Sequence, residues 1–79
     1  MAFSESEKEW AKRVAGHLKA ELKRAGVTYE ELALRLKAYG FDETKASITN
    51  KISRATLSAH FFLASLAAIG RYSLRVEDL

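Results

Sequence analysis

Hydrophobic residues near the start of the chain recur every four positions, which predicts an amphipathic helix over about residues 5–25. Ser4 and Glu7 have the spacing of a capping box at the start of this helix, and Gly26 is a typical residue just past its end. We therefore expect Trp10 to be a core residue. The apolar stripe comprises Trp10, Val14, Leu18 and Leu22, with Ala11 and Ala25 beside it.

A second helix is predicted to begin directly after Gly26. Thr28 and Glu31 repeat the capping-box spacing, and the helix would run to about Tyr39 before Gly40 ends it. Its short apolar face predicts packing against the first helix. That face comprises Leu32, Ala33 and Leu36.

A third helix is predicted over about residues 43–54, and only two of its positions are strongly apolar. Ile48 and Ile52 are four residues apart and would both point inward. A helix with two apolar anchors contributes little to a core, so the pattern favours a surface that meets a partner. The residues that point away from the core are Ala46, Ser47, Asn50, Ser53 and Arg54.

Ser58 is predicted to cap a fourth helix, which begins at Ala59 and is apolar on almost every face up to Ile69. A helix that is apolar all round must be covered all round, and a second copy of the chain is the natural cover. The adjacent Phe61 and Phe62 are not expected to face one core together, so one of them would mark an interface or a groove. The predicted homodimer interface comprises Phe61, Ala64, Ala68, Tyr72, Leu74 and Val76.

The last residues, 71–79, change from a helical pattern to strict alternation, which is typical of a strand. No other segment reads as a strand, so this tail would either pair with its copy in a dimer or lie extended over the core. The chain is therefore predicted to be a single all-α domain over residues 1–79. It would contain four helices and a short strand-like C-terminal tail.

Charge is distributed unevenly along the chain. Residues 1–43 carry eight basic and eight acidic residues, whereas residues 44–79 carry five basic and two acidic ones. The net charge of +3 therefore lies in the second half, where residues 44–76 contain no acid. Such a cationic stretch suits a negatively charged partner, and nucleic acid is the first candidate.

Several functional classes find no support in the sequence. The chain has no cysteine, and its two histidines, His17 and His60, lie on different helices without carboxylates at ligand spacing. No nucleophile–base constellation and no glycine-rich phosphate loop occur. We predict neither enzyme activity nor a metal, cofactor or small-molecule ligand.

The sequence also gives an expectation for location. No apolar run approaches the roughly 20 residues that span a bilayer. The N-terminal segment, residues 1–7, is acidic and lacks the order of a signal peptide. We expect a cytoplasmic, nucleoid-associated protein without membrane contact.

The second and third helices have the pattern of a helix-turn-helix, in which an apolar-faced helix precedes a polar, basic one. The third helix would enter the major groove of double-stranded DNA, where Asn can bind adenine, Arg can bind guanine or phosphate, and Ala can contact a thymine methyl. The predicted base-reading residues are Ala46, Ser47, Asn50 and Arg54. The predicted phosphate contacts are Thr28, Tyr29, Lys45, Lys51 and Thr56.

The segments 28–36 and 48–52, followed by Ser58 and a helix, resemble the lambda-repressor-like helix-turn-helix domains. The segments 10–13, 22–33, 50–54 and 61–62 are also similar to a small family of uncharacterised bacterial domains related to them. The resemblance implies a DNA-binding scaffold of the five-helix type, shortened here to four helices, and a role in transcription control.

Two features depart from the lambda-repressor-like pattern. The loop 40–44 is longer than the usual tight turn. Ala55 stands where such domains tend to have glycine, so the third helix is expected to end in a more helical way. Both features affect how the third helix is presented.

Alternatives remain for individual residues and for the function. The outer face of the third helix could be a solvated surface. Asn50 could cap or brace the loop through hydrogen bonds from its side chain to the backbone, and Tyr29 could pack instead of binding. A protein-interaction module on the same scaffold is the main alternative to DNA binding. RNA binding is a weaker one, because the third helix offers no aromatic side chain for stacking on bases.

Overall fold

The computed structural model describes residues 4–79 and confirms an all-α domain of four helices. The helices are α1 (Glu5–Ala25), α2 (Tyr29–Lys37), α3 (Lys45–Ser53) and α4 (Ala59–Ala68), and a short 3-10 turn spans Val76–Asp78. Both α1 and α2 pack against α3 and α4. The first residues of the segment that argued against a signal peptide lie outside the described residues.

Side-chain caps fix the starts of all four helices. The predicted capping box of α1 is present, since Ser4 Oγ accepts from the Glu7 amide and Glu7 accepts from the Ser4 amide. Thr28 caps α2 by accepting from the Glu31 amide at 3.1 Å. The reciprocal half of the predicted second box is absent from residues 4–79, because the Glu31 carboxylate pairs with Arg35 instead. Each cap satisfies an amide that a helix start otherwise leaves without a partner.

All four helices end in the same backbone motif. In each, one left-handed residue donates to the carbonyl three positions back, and the next residue donates to the carbonyl five positions back. The left-handed residues are Gly26, Gly40, Ala55 and Gly70. The expectation of a more helical exit from α3 is therefore wrong: Ala55 adopts φ 54° and stops the helix as a glycine would. A side chain in this conformation costs roughly 1–2 kcal/mol.

The core forms where α4 packs against α1 and α2. Phe61 and Phe62 are both buried, which corrects the prediction that only one of them could face the core. Phe61 lies edge-on to Phe41 in the α2–α3 loop, whereas Phe62 lies edge-on to His17 of α1. Because α4 is enclosed on two sides, adjacent side chains about 100° apart both find apolar neighbours.

Trp10 is not a core residue, contrary to the prediction, since half of its surface is exposed. Residues four apart on a helix differ by about 40° in the direction of their side chains. Trp10 is eight residues before Leu18, so its side chain points about 80° away from the direction in which Leu18 is buried. All the residues of α1 from Glu5 to Trp10 are exposed. The Trp10 ring instead lies under the Arg13 guanidinium, 5.2 Å from its centroid.

The C-terminal tail does not form the predicted strand. Residues 71–75 have no regular secondary structure, and no strand occurs anywhere in residues 4–79. Leu74 packs against the core while Tyr72 and Val76 are exposed, so the alternating residues do not share one face. Leu74 and Leu79 pack against the core, as the second alternative predicts, whereas pairing of the tail with a second copy stays a prediction. None of the described helices is long and apolar enough to cross a membrane.

Candidate nucleic-acid interface

The connection between α2 and α3, residues 38–44, is held against the core by Phe41. The Phe41 ring stacks on His60 at 6.1 Å and meets the Phe61 ring edge-on at 6.3 Å. The Phe41 amide also donates to the Leu36 carbonyl at 3.1 Å. The long loop is thus anchored at its midpoint, and this anchor positions the start of α3.

The first turn of α3 is closed by a capping box that the sequence analysis did not foresee. Thr44 Oγ1 accepts from the Ser47 amide at 3.0 Å, and Ser47 Oγ accepts from the Thr44 amide at 2.9 Å. The Ser47 hydroxyl donates in turn to Glu43 Oε1 at 2.7 Å. Ser47, which was predicted to read bases, is therefore half-buried with its hydroxyl engaged in capping.

Lys51 is engaged in the same network. Its ammonium pairs with Glu43 Oε2 and lies 4.7 Å from the centroid of the Phe61 ring. Burial acts to raise the pKa of Glu43, but the hydrogen bonds from Lys51 and Ser47 outweigh it and leave that pKa below its ordinary value of about 4.5. Lys51 thus neutralises an acid beside α3 and braces the loop.

The remaining outer face of α3 is exposed and available. Ala46, Asn50 and Arg54 all lie on it. Within the described residues, the side chains of Asn50 and Arg54 make no hydrogen bond or ion pair, so the bracing role considered for Asn50 is not observed. The Asn50 backbone carbonyl accepts from the Arg54 amide and from the Ser53 hydroxyl. This face therefore presents an amide and a guanidinium with free donors.

The predicted phosphate contacts are distributed around α3. Thr28 is exposed at the start of α2, whereas Tyr29 is half-buried and packs against the core. The Lys45 ammonium lies 3.9 Å from Glu30 in an exposed and therefore weak pair. Thr56 is exposed just past the end of α3, and its amide is used in the helix-ending motif.

Two lysines that were not among the predicted DNA contacts lie beside α3. Lys12 and Lys19 of α1 flank an open groove of about 440 Å³ between α1 and α3. Neither lysine makes an ion pair within residues 4–79, and no acidic residue lines the groove. We call it the basic groove; it is lined by Lys12, Gly16, Lys19, Tyr29, Thr49 and Ser53, among others. The sequence contains one pattern that could have predicted this groove. Lys12 and Lys19 are seven residues apart with Gly16 between them, and this spacing places the three residues on one side of α1.

A second groove, of about 560 Å³, lies between α1 and the C-terminal turn. Both acidic and basic residues line this groove, and Glu21 makes two ion pairs. Glu21 pairs with Arg24 and, at 2.8 Å, with Arg71. The hydrogen bond from Arg71 lowers the pKa of Glu21, and Arg24 adds to this effect against the opposing effect of burial. We call it the paired groove; it is lined by Arg13, Gly16, His17, Glu21, Arg24 and Asp78, among others.

The residues predicted to form a dimer interface differ in their exposure. Phe61 is only 2% exposed inside its own domain, so it offers no surface to a second subunit. Most of α4 is likewise covered within the domain, which removes the argument that a partner must cover it. Ala64, Ala68 and Leu74 are half-buried, and Tyr72 and Val76 are exposed. The homodimer itself stays a prediction.

The fold and the site define a small four-helix all-α domain. Residues 10–74 match the family described as a domain of unknown function (DUF6471), and the chain belongs to this family. Neither the curated proteins nor the solved structures contain a match to the chain. No group of three or more metal-ligating side chains occurs in the part of the chain that the structure describes.

Proposed function

We propose that this domain binds double-stranded DNA in a sequence-specific manner, with α3 in the major groove, as a small bacterial transcriptional regulator acting as a homodimer. The observation that carries the proposal is the exposed, acid-free outer face of α3, on which Asn50 and Arg54 have free donors. The resemblance of the sequence to lambda-repressor-like helix-turn-helix domains supports the same function.

The dimensions of α3 suit this role. Its nine residues span about 13 Å, the length of roughly four base pairs. The outer face carries small or polar side chains, so the helix is slim enough for a groove about 12 Å wide. Asn50 can donate to and accept from adenine, Arg54 can donate to guanine or a phosphate, and Ala46 can contact a thymine methyl.

The structure changes which residues are proposed to contact DNA. Asn50 and Arg54 keep the reading role, and Lys45 keeps the phosphate role because its pair with Glu30 is exposed and weak. Ser47 and Lys51 are instead assigned to holding α3 in place, since both bind Glu43. Binding therefore depends on a loop that these two residues brace.

The first test is DNA affinity as a function of salt for the wild type, Arg54→Ala and the double variant Asn50→Ala/Arg54→Ala. Arg75→Ala is the matched control, because Arg75 is an exposed arginine of the tail that pairs only with the nearby Glu77. Wild type should bind with affinity that falls steeply with salt, and Arg54→Ala should bind more weakly than Arg75→Ala. Equal affinity of the two single variants would overturn the assignment of α3.

Lys45 and Lys51 offer a second comparison. Lys45→Ala should reduce the slope of log affinity against log salt by about one unit and leave the thermal transition unchanged. Lys51→Ala should lower the thermal transition, because it leaves the half-buried Glu43 without its cation. If Lys51→Ala changed only the salt slope, Lys51 would be a phosphate contact after all.

A protein-interaction module is the second candidate, favoured by exposed apolar residues on other surfaces. Tyr72 is 82% exposed and Leu63 of α4 is 53% exposed. Light scattering of wild type and of Tyr72→Asp/Val76→Asp would show whether the tail mediates self-association. A dimer that dissociates in this variant would support the predicted interface, whereas a monomeric wild type would contradict the homodimer.

A further inference from the structure

The basic groove is open to solvent and lies directly beside the proposed DNA-reading helix. Polar and apolar residues line it together: Thr49, Ile52 and Ser53 of α3, Lys12, Ala15, Gly16 and Lys19 of α1, and Tyr29 and Ala55. Lys12 and Lys19 are two helical turns apart, which corresponds to about 10 Å along α1. Successive phosphates of one DNA strand rise about 3.4 Å along the duplex axis and lie farther apart along the strand itself, so the two lysines are far enough apart to contact different phosphates of one strand.

Gly16 in the middle of α1 is not explained by packing within the domain. A Cβ atom built there would meet nothing within 4 Å, and the residue is exposed in a regular helix. Glycine in a helix interior costs about 1 kcal/mol relative to alanine, so the domain tolerates a cost that its own packing does not require. Glycine is the usual residue where a backbone must approach a ligand closely.

The charge of the groove indicates the class of ligand. Lys12 and Lys19 are free of ion pairs within residues 4–79, and Thr49 and Ser53 are the polar residues that α3 contributes to the lining of the groove. No acid lines the groove, whereas other cations near α3 and α4 are partly neutralised by Glu30 and Glu43. A polyanion with regularly spaced charges is the complementary partner.

We propose that the basic groove seats the sugar–phosphate backbone of one DNA strand, with Lys12 and Lys19 as phosphate contacts and Gly16 as the floor that lets the strand approach α1. This inference rests on the proposed function, because the strand in the groove belongs to the duplex whose major groove receives α3. It adds α1 to the binding surface and explains why a helix-interior glycine occurs at this position.

The test compares two substitutions that act on the groove in different ways. Lys12→Ala/Lys19→Ala removes its charge, and Lys37→Ala/Arg75→Ala is the control, with the same loss of two charges at exposed positions outside the groove. Gly16→Leu fills the groove without a change in charge, and Gly16→Ala is its smaller counterpart. Because both residues favour helices more than glycine does, both Gly16 variants should melt at a higher temperature than wild type.

Titrations of a random DNA duplex at several salt concentrations should separate these variants. Lys12→Ala/Lys19→Ala should reduce the slope of log affinity against log salt by about two units, and the control should leave it unchanged. Gly16→Leu should bind roughly tenfold more weakly than Gly16→Ala although its fold is at least as stable, an effect of about one lost phosphate contact. This combination cannot arise from unfolding.

The other outcomes are also decisive. If wild type binds DNA and both groove variants match their controls, the DNA backbone does not lie in the basic groove. The proposal that α3 binds DNA would be unaffected. If folded wild type binds no duplex even at low salt, both the proposed function and the proposed role of the basic groove are wrong. If duplex RNA binds through the same lysines as tightly as DNA, the assignment to DNA is overturned.

Discussion

The basic groove and the paired groove lie on either side of Gly16 and differ in how their charges are balanced. In the paired groove, Glu21 binds two arginines, so most of the charge is neutralised inside the domain. In the basic groove, no acid from the described part of the chain is among the lining residues beside Lys12 and Lys19. The number of cations on a helix therefore says little about what it can bind, because the placement of the acids decides which cations are free.

This comparison also changes the meaning of the charge distribution along the chain. Residues 1–43 are neutral by count, so the sequence directed attention to the second half. In three dimensions the acids of the first half pair with particular cations, as Glu31 does with Arg35. Lys12 and Lys19 of α1, which make no ion pair within residues 4–79, lie next to α3. The cationic surface is thus assembled from both halves of the chain.

The largest expected effect on stability comes from removing a buried side chain of α1, the helix that lines both grooves. Leu18→Ala should lower the free energy of unfolding by about 2–5 kcal/mol, because Leu18 is fully buried and the substitution leaves a cavity. Chemical denaturation monitored by circular dichroism would measure this. A loss below about 1 kcal/mol would contradict the role of Leu18 as the anchor of α1.

A charge reversal on each side of α1 sharpens the functional comparison. Lys19→Glu, in the basic groove, should weaken DNA binding roughly tenfold or more at moderate salt. Arg13→Glu makes the same change in net charge in the paired groove and should have a much smaller effect. Fluorescence anisotropy with one labelled duplex would measure both. Equal losses would show that only the net charge of the domain matters.

Acid should weaken the domain through the two paired carboxylates. The pKa values of Glu21 and Glu43 are both lowered in the folded state, so their contribution to stability is present above about pH 4.5 and is lost as pH falls through the folded-state values. Thermal unfolding from pH 7 down to pH 3 should show this loss. In Glu21→Gln/Glu43→Gln the decline should be shallower and the stability at pH 7 lower; a decline as steep as that of wild type would assign the acid sensitivity to other groups.

The smallest expected effect is at the edge of the basic groove, where Ala55 ends α3. Ala55→Gly should raise the free energy of unfolding by up to about 1 kcal/mol, because glycine adopts the left-handed conformation without strain. Thermal unfolding would measure the gain, and Gly70→Ala, at the matching position after α4, should show a loss of similar size. Destabilisation by Ala55→Gly would mean that the Ala55 methyl contributes packing that outweighs its backbone strain.

Much of the fold was predictable because it rests on local signals. The caps at Ser4, Thr28 and Ser58 and the glycines after three of the helices are short-range features. The inward positions Ile48 and Ile52 follow from helical periodicity, and both are buried as predicted. The candidate site was less predictable, since the engagement of Ser47 and Lys51 depends on Glu43 in the preceding loop.

The sequence by itself determined the number of helices, their limits and the apolar faces of α2 and α3, because capping and periodicity act over a few residues. Tertiary structure alone decided that Trp10 is exposed, that Phe61 and Phe62 are buried together, and which lysines remain free. These outcomes depend on how the helices pack against one another and on which charges meet across the fold. Both are properties of contacts between residues distant in sequence, which no local pattern contains.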